Sequence, residues 1–398
     1  MRQVFHDLST YSADLFGINS ALYELGGLIV MHDASGCNST YNTHDEPRWY
    51  TMDSMVYVSG LNEKDAILGN DQRVIDDICA VVEVEHPKFV AFSVSVLPAY
   101  MGTDVRGIAR LIERRTGVPS FGFATNGMDT YVPGAGMAFR AIAERFCPAE
   151  GTKSAGRETG GPIEVNLLGV TPLDFSVNGN VEALEKTVRG MGFRIRSSWA
   201  MGCSLEQLQT APGADVNLVV SATGLPAAEY FEEAFGIPYV IGLPCGRAGT
   251  ERVREQICAA AEDGRSRLMF DAGAPAFSCA IPETRRVRLI GEPVHCASLR
   301  YLLERVGSFP EVRIACPMEK DAGALRESDA WLGGEAEITE FLNEGDVVIA
   351  DPIYRRVVRD EKLFIDDPHD AYSGRMYHHI KRLFVGPHAD LLAELGIR

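Results

Sequence analysis

Short apolar runs recur along the chain, and stretches with helical spacing follow them. Runs rich in Val, Ile and Phe are what a strand covered on both faces of a sheet requires. We predict such strands at residues 89–96, 165–170, 216–220, 287–290, 312–315 and 347–350. The chain therefore contains the repeated strand that a fully buried sheet needs.

Apolar residues between these strands fall on one side of a helix. They occupy positions i, i+3, i+4 and i+7 in one segment, at Ile75, Ile78, Cys79 and Val82, and positions i, i+3 and i+7 in another, at Val181, Leu184 and Val188. Strands that alternate with one-sided helices indicate right-handed crossovers and a parallel sheet. The predicted fold class is α/β.

Two breaks divide the chain. Residues 148–162, PAEGTKSAGRETGGP, contain four Gly and no large apolar side chain, so they cannot contribute to a core. A weaker break lies near residues 280–286. We therefore predict three domains, at residues 1–160, 161–284 and 285–398, each about the size of a mononucleotide-binding half-fold.

Composition and charge exclude several partners. Apolar residues make up 46% of the 398 residues, as in ordinary globular proteins, and 55 Asp and Glu against 38 Lys and Arg give a net charge of −17, which repels nucleic acid. The longest uncharged stretch, residues 89–103, is too short to span a bilayer of about 30 Å. Acidic residues at Asp7 and Asp14 do not fit a signal peptide, so we expect a cytoplasmic protein without a membrane span.

The nine cysteines are scattered, with no CxxC pair. This spacing argues against a disulfide framework and against a self-contained zinc ribbon. There is also no GxGxxG or GxxxxGK[ST] motif, and the nearest segment, CGRAGT at residues 245–250, lacks the Lys that would reach a phosphate. Any metal site must be assembled from distant segments or two chains, and any ATP must be hydrolysed by another protein.

Two segments concentrate side chains that can do chemistry. HDASGCNSTYNTH, residues 32–44, contains Cys and His ligands suited to iron or zinc, although a Cys in such a turn can equally be a small buried filler. DPHDAYSGRMYHH, residues 367–379, contains three His and Arg375, or is simply a polar loop. His378 and His379 are adjacent, so at most one of them faces a ligand.

Several segments together, in the same order along the chain, resemble one family. They are GC at residues 36–37, GLNEKDAILGNDQRVIDDI at 60–78, HPKFVAFSVSV followed by GTDVRGIAR, EVNLLGV at 164–170, ADVNLVVSATG and FGIPYVIGLPCGRAGT within 214–250, and PHDAYSGRMYH near the end. This collinear set is similar to nitrogenase component 1 proteins, which include the molybdenum-iron protein and the dark-operative protochlorophyllide reductase subunits.

The resemblance implies three Rossmann-like domains around a central cleft. It also implies a dimer, formed with a second copy or with a component 1 paralogue, and a separate iron-protein ATPase that delivers electrons. In this family an iron-sulfur cluster usually lies between the paired chains on cysteines of the first domain. The metal performs the electron chemistry, and the protein tunes and shields it.

Only one of the expected cluster cysteines has a counterpart in this chain. Cys37 matches the family's glycine-cysteine ligand, but no Cys precedes it, and residues 95–98 contain none. A four-thiolate cluster from this chain alone is therefore excluded. Either two copies of Cys37 meet across a dimer axis with His32, Asp33 or His44, or a partner chain supplies the missing ligands, or the interface holds no metal.

The resemblance also assigns residues to the cleft. His369 matches the family's cofactor-binding histidine, whereas Ser221 lies where the cofactor cysteine is expected, which argues against dinitrogen reduction. The cleft is then open to a tetrapyrrole, another organic substrate or a second metal cluster. Residues expected to line it are Cys245, Arg247, Thr250 and Arg375, of which the arginines would suit a carboxylate.

Three functions follow from these expectations. The first is a nitrogenase-like oxidoreductase subunit that reduces a substrate in the cleft with low-potential electrons. The second is a non-catalytic scaffold or carrier for a metal cluster or tetrapyrrole, which the loss of two cluster cysteines favours. The third is a subunit that only pairs with an active paralogue. The catalytic acids and bases are not identifiable from the sequence.

Overall fold

The structure, a computed structural model, describes residues 5–34, 36, 46–149, 161–270, 281–282, 284–377, 379–380, 383, 385–386 and 395. Three sheets of four or five strands lie within these residues, together with a short two-stranded ladder, and the neighbouring strands are parallel. The α/β prediction is therefore confirmed. Each sheet with its helices is called a lobe below.

The first lobe comprises residues 14–146. Its elements are α1 (Asp14–Leu22), β1 (Leu28–His32), β2 (Met55–Val58), α2 (Glu63–Leu68), α3 (Asp71–Glu85), β3 (Val90–Val94), α4 (Val96–Met101), α5 (Val105–Thr116), β4 (Ser120–Phe123) and α6 (Tyr131–Phe146). The strand order is β2-β1-β3-β4. Every residue of β1 and β3 is buried, as the uncharged sequence of β3 requires.

The second lobe comprises residues 164–268. Its elements are β5 (Glu164–Val170), α7 (Pro172–Phe175), α8 (Asn180–Gly190), β6 (Arg194–Ala200), α9 (Leu205–Leu208), β7 (Val216–Val219), α10 (Leu225–Phe235), β8 (Tyr239–Ile241), α11 (Gly246–Asp263) and β9 (Arg267–Leu268). The strand order is β6-β5-β7-β8-β9, so β5 and β7 lie inside the sheet.

The third lobe comprises residues 286–377, and the short ladder pairs β10 (Ile281–Pro282) with a strand from within it. The elements of the lobe are β11 (Arg286–Ile290), α12 (Pro293–Val306), β12 (Gly307–Ser308), β13 (Glu311–Cys316), β14 (Ala330–Trp331), α13 (Glu335–Glu344), β15 (Val347–Ala350), β16 (Leu363–Asp366) and α14 (Asp370–Ser373). The main sheet has the order β14-β13-β11-β15-β16.

The strands and helices predicted from the sequence are present. Each predicted strand overlaps one of β3, β5, β7, β11, β13 and β15, and the predicted apolar faces of α3 and α8 are buried. Each predicted domain contains one sheet. Residues 150–160, within the predicted first linker, and residues 271–280 and 283, at the second break, lie outside the described residues, so the boundaries stay predictions. No helix among the described residues is both long and apolar enough to cross a membrane.

Helices α1 and α6 pack so closely that their backbones touch, and this contact positions the start of α6. A Cβ atom added to Gly134 would lie 1.8 Å from the carbonyl oxygen of Asp14, and one added to Gly17 would lie 2.1 Å from that of Tyr131. Only glycine leaves room for this approach. The first side chain of α6, Tyr131, is thereby fixed where the lobes meet.

We predict that Gly134→Ala destabilises the protein by about 1–3 kcal/mol, because the new methyl group must force two helices apart. Gly190→Ala is the matched control, since a Cβ added at Gly190, at the end of α8, meets no atom within 4 Å. Urea denaturation followed by circular dichroism measures both free energies of unfolding. Equal stability of the two variants would contradict the prediction.

Candidate functional site

The candidate site lies where the carboxyl ends of the second and third sheets meet. In open α/β sheets, ligands bind at this end of the strands. Here a cavity of about 30 Å³ separates the two sheets. Its lining residues follow strands of both lobes and comprise Asp174, Phe175, Val220, Leu243, Ile290, Gly291, Glu292, His295, Asp367, Pro368 and His369.

The carboxyl group of Asp174 joins all three lobes. Its Oδ2 atom accepts hydrogen bonds from the hydroxyl groups of Ser221 (2.7 Å) and Thr171 (3.0 Å), both in the second lobe. Its Oδ1 atom accepts a hydrogen bond from the hydroxyl group of Tyr131 in the first lobe. The same oxygen lies 3.2 Å from Nε2 of His369 in the third lobe.

Tyr131 contributes a phenol that stays protonated. Burial raises the pKa of Tyr131 well above its usual value, and the neighbouring Asp174 carboxylate adds to the rise. Its ring meets the His369 ring edge to face, with 5.9 Å between the centroids. The hydroxyl group therefore acts as a hydrogen-bond donor toward Asp174 and lies 3.4 Å from Nε2 of His369.

His369 is held from its backbone as well as from its ring. It follows β16, and its backbone N–H donates to Oδ2 of Asp351, at the end of β15, over 2.9 Å. Burial raises the pKa of Asp351. On the other side of the ring, Nδ1 of His369 is buried and has no hydrogen-bond partner among the described residues.

A second buried carboxyl group, Glu292, follows β11. Its Oε1 atom accepts a hydrogen bond from the backbone N–H of Ala222 (2.8 Å), and its Oε2 atom accepts one from that of His295 (2.7 Å). Burial raises the pKa of Glu292 to about 8, and the charge of Asp174 adds to the rise. Glu292 therefore binds a proton near neutral pH.

The charge of the cavity lining is acidic. It contains three carboxyl groups and two imidazoles, and no Lys or Arg is among the lining residues that the structure describes. Glu292 is protonated near neutral pH, and the carboxyl groups of Asp174 and Asp367 are each paired with an imidazole. No guanidinium or ammonium group among these residues is therefore available to bind an anionic ligand. The cavity suits water and protons, and it does not suit a carboxylate.

A much larger cleft, of about 1040 Å³, lies between the first and third lobes. This volume matches the largest cavities that usually hold small organic molecules, roughly 1,000 Å³. Aromatic and other apolar side chains form much of its wall, namely Phe5, Tyr11, Phe16, Met128, Leu332, Ile338, Tyr354, Tyr372 and Met376. The cleft could therefore hold a flat organic ring system.

Residues 5–13, called the strap below, run along this cleft. Three consecutive backbone N–H groups, from His6, Asp7 and Leu8, donate to Oε2 of Glu335 at 2.8–3.0 Å. Further along the strap, the ring centroid of Tyr11 lies 5.6 Å from that of His369. The ring of Tyr11 therefore lies between His369 and the cleft.

Two of the cleft residues expected from the sequence meet at one carboxyl group. Ser221 and His369 both contact Asp174, from opposite oxygens. Arg375 lies apart from them and lines the larger cleft, with its guanidinium carbon 4.9 Å from the ring centroid of Tyr50. The expected arginine is thus at the larger cleft and not at the small acidic cavity.

The residues of the CGRAGT turn do not line either cavity. Cys245 is fully buried in the core of the second and third lobes. The side chain of Arg247 is 92% exposed and pairs with Glu251 on the same helix. The hydroxyl group of Thr250 donates to the backbone carbonyls at positions 244 and 246. The turn is a helix start that packs against the core.

The expected metal ligands are described only in part. Cys37 and His44 lie outside the described residues. The Nδ1 atom of His32 lies 2.8 Å from the hydroxyl oxygen of Ser59, and burial lowers the pKa of His32, so its imidazole is neutral. Within the described ranges, no three His, Cys, Asp or Glu residues are grouped so that they could hold a metal ion.

The residues around His369 do not fit a metal-sulfur cofactor. The cavity there, about 30 Å³, has room for about two water molecules and not for a metal cluster. The Nε2 atom of His369 faces Asp174, and Ser221 donates to that carboxyl group where a cysteine ligand would be needed. The donor set is therefore that of an acid-base site.

Sequence reasoning missed Tyr131, Asp174, Glu292, His295 and Asp367. A signal was available for the carboxyl groups, since Asp174, Glu292 and Asp367 each follow a strand within four residues. Listing the acidic residues that come directly after apolar runs would have found them. Tyr131 begins a helix in another lobe and had no such signal.

Comparisons with known proteins agree with this architecture. A family model described as "Nitrogenase component 1 type Oxidoreductase" matches residues 26–320. A solved structure, "Nitrogenase Cp1 at pH 6.5", superposes with a TM-score of 0.68 at 14% identity and covers 100% of this chain and 93% of that one. At this level of identity the structural match shows the shared fold.

Two curated relatives are also similar in sequence to this chain, and one is named as a reductase subunit and the other as a cofactor biosynthesis protein. One chain of the light-independent protochlorophyllide reductase of Rhodopseudomonas palustris (strain TIE-1) is 29% identical over 53% of this chain and 41% of its own length. The nitrogenase iron-molybdenum cofactor biosynthesis protein NifE of Klebsiella pneumoniae is 23% identical over 61% of this chain and 54% of its own length. The match spans about half the length of these relatives.

We predict that Glu292→Gln changes the pH dependence of stability. The raised pKa of Glu292 gives stability that is fully present below its ordinary value of 4.5 and is lost as the pH rises through about 8. The difference between the free energies of unfolding of the wild type and the variant should fall by at least about 1.4 kcal/mol as the pH rises over this range, because a pKa shift of one unit corresponds to about that energy. Urea titrations at several pH values measure it, and a constant difference would contradict the assignment.

We predict that Glu335→Gln loosens the strap. The hydrogen bonds that Glu335 accepts from these backbone N–H groups lower its pKa. The attachment of the strap is therefore fully present above the ordinary pKa of a glutamate and is lost as the pH falls through the lowered pKa of Glu335. The neutral variant should increase hydrogen exchange at residues 6–8 by roughly threefold or more, because charge-assisted hydrogen bonds are the stronger ones. Glu337→Gln on the same helical turn is the control, and equal exchange in both variants would refute this attachment.

Proposed function

Because the chain belongs to the family of nitrogenase component 1 type oxidoreductases, we propose that it reduces an organic substrate in the larger cleft. The electrons come from an ATP-dependent iron-sulfur reductase. The observation that carries the proposal is the Asp174 carboxyl group, which gathers Tyr131 and His369 one aromatic ring away from a cleft of about 1040 Å³.

Reduction of a double bond consumes two electrons and two protons, and this chain supplies the protons. Asp174 holds the Tyr131 hydroxyl group and the Nε2 atom of His369 on one oxygen. His369 gives its proton to the substrate and regains one through that carboxyl group, which is the role of a general acid with a relay behind it. Tyr131, whose phenol stays protonated, stabilises the carboxyl group as a hydrogen-bond donor. The carboxyl group also fixes the orientation of the imidazole ring.

The strap controls access to these donors. Tyr11 lines the cleft, and its ring packs on that of Tyr372 with 4.6 Å between the centroids. A substrate in contact with His369 must displace Tyr11 from this position. The strap thereby keeps bulk water away from the imidazole until the substrate is bound.

The iron-sulfur cluster belongs to the dimer interface in this proposal. Cys37 would contribute to it, with His32, His44 or a partner chain completing the ligands, and the cluster would supply the path for low-potential electrons. The partner is a second copy or a component 1 paralogue. Exposed apolar side chains on α4, Val96, Leu97 and Tyr100, support an interface at the carboxyl end of β3.

A scaffold or carrier role is the second candidate. The similarity to the cofactor biosynthesis protein of Klebsiella pneumoniae favours it, and so does a cleft that is large enough for a tetrapyrrole. A carrier binds its cargo tightly and releases it unchanged. Absorbance titration with tetrapyrroles, with and without the reductase partner, separates tight binding without reduction from turnover.

The cluster proposal is tested by anaerobic reconstitution with iron and sulfide. We expect bound iron and a paramagnetic signal on reduction, both of which Cys37→Ser abolishes. Cys258→Ser is the control, because Cys258 is a half-buried free thiol in the second lobe. A wild-type protein that stays colourless and free of iron would overturn the cluster.

We predict that Asp174→Asn lowers kcat by about 100-fold or more and leaves KM nearly unchanged, because general acid catalysis contributes about 10²–10⁴-fold. The assay supplies the reductase partner, ATP and a panel of tetrapyrroles that includes protochlorophyllide. Asp360→Asn, an exposed position in the third lobe, is the control. An unaffected kcat in Asp174→Asn would remove Asp174 from the mechanism.

A further inference from the structure

A second pair of imidazole and carboxyl group lines the small cavity. The Nε2 atom of His295 lies 2.7 Å from Oδ2 of Asp367. Both residues border the same 30 Å³ cavity as Asp174 and His369. Two similar pairs therefore share one enclosed space, and only the pair of Asp174 and His369 has a role in the proposed function.

The two pairs differ in their access to solvent. The side chains of His295 and Asp367 are 16% and 13% exposed, and those of His369 and Asp174 are 12% and 6% exposed, so the first pair is the more exposed of the two and the difference is largest at the carboxyl groups. Protons from bulk water thus reach His295 and Asp367 more easily than Asp174. An inner donor that gives up protons needs such an outer group to restore it.

The cavity has the size and polarity to hold water. A buried water needs about 10–15 Å³ and two to four polar partners, and such waters satisfy buried polar groups that lack a protein partner. His369 lines the cavity, and its Nδ1 atom has no hydrogen-bond partner within the described part of the chain. A water molecule in the cavity would provide one.

We propose that a water molecule bound in this cavity links His295 and Asp367 to His369 and Asp174, and that the outer pair restores the protons which the inner pair gives to the substrate. This inference rests on the proposed function. For each proton that leaves His369 for the substrate, one proton enters at His295 from bulk solvent, and no electron moves along this path. His295 and Asp367 are positioning residues, because they act through His369.

Glu292 lies beside this path and is part of its electrostatics. Both of its oxygens accept hydrogen bonds from backbone N–H groups, so the carboxyl group is fixed in place. The titratable groups around it come from the elements that pack against the cavity, and they are Tyr131, Asp174, His295, Cys296, Cys316, Asp367 and His369. A change of charge at His295 must therefore change the electrostatic potential at the ring of His369.

The test follows the titration of His369 by NMR in protein labelled with ¹⁵N-histidine, without substrate or partner. We expect His295→Gln and Asp367→Asn each to shift the midpoint of His369 by about half a pH unit or more, as coupled sites do. His6→Gln, at a side chain that is 87% exposed, is the control and should shift nothing. A midpoint unchanged in both variants would overturn the proposal.

A second measurement needs no variant. In the wild-type protein, magnetisation transfer should reveal a long-lived water in contact with the rings of both His295 and His369, and its absence would also overturn the proposal. The outcome is separable from the proposed function. If the two histidines are coupled but the protein reduces no substrate, the proton path stands and the reductase proposal is wrong. If the protein is an active reductase but the histidines are not coupled, the reductase proposal stands and the proton path is wrong.

Discussion

The arrangement of the three lobes depends on one buried carboxyl group. Asp174 accepts hydrogen bonds from Tyr131 in the first lobe and Ser221 in the second, and it contacts His369 in the third. A carboxylate buried without partners would be very costly, so each lobe must deliver its donor to the same point. The tight packing of α1 on α6 through Gly17 and Gly134 serves this end, because it fixes where Tyr131 starts its helix.

The acidity of the small cavity decides what can bind there. With Asp174, Glu292 and Asp367 in its wall and no Lys or Arg among the described lining residues, it offers carboxyl groups and imidazoles that can hold protons, and no guanidinium or ammonium group that would bind an anion. The larger cleft has aromatic walls and an arginine, Arg375, at its edge. In the proposed function, proton transfer and ligand binding are thus separated in space, and the strap residue Tyr11 lies between them.

The chain retains the fold of its family, and the side chains at its candidate site differ from those that the resemblance led us to expect. It superposes on a nitrogenase structure over its whole length at 14% identity. Ser221 nevertheless donates a hydrogen bond to Asp174 at the position where the resemblance led us to expect a cysteine ligand. Fold similarity alone therefore does not transfer the metal chemistry, which depends on the individual side chains of the site.

The sequence alone determined the α/β class, because strands buried on both faces leave continuous apolar runs and one-sided helices leave a pattern with a period of about 3.6 residues. It also pointed to Ser221 and His369, whose surroundings match family segments. It did not identify Asp174, which lies 195 positions from His369 along the chain yet contacts its ring. Its place four residues after a strand, among 55 acidic residues, makes it one candidate and shares that signal with Glu292 and Asp367. Nothing local shows that three lobes surround it. Only the packing of the lobes decides that, because burial and the convergence of donors are properties of the folded chain.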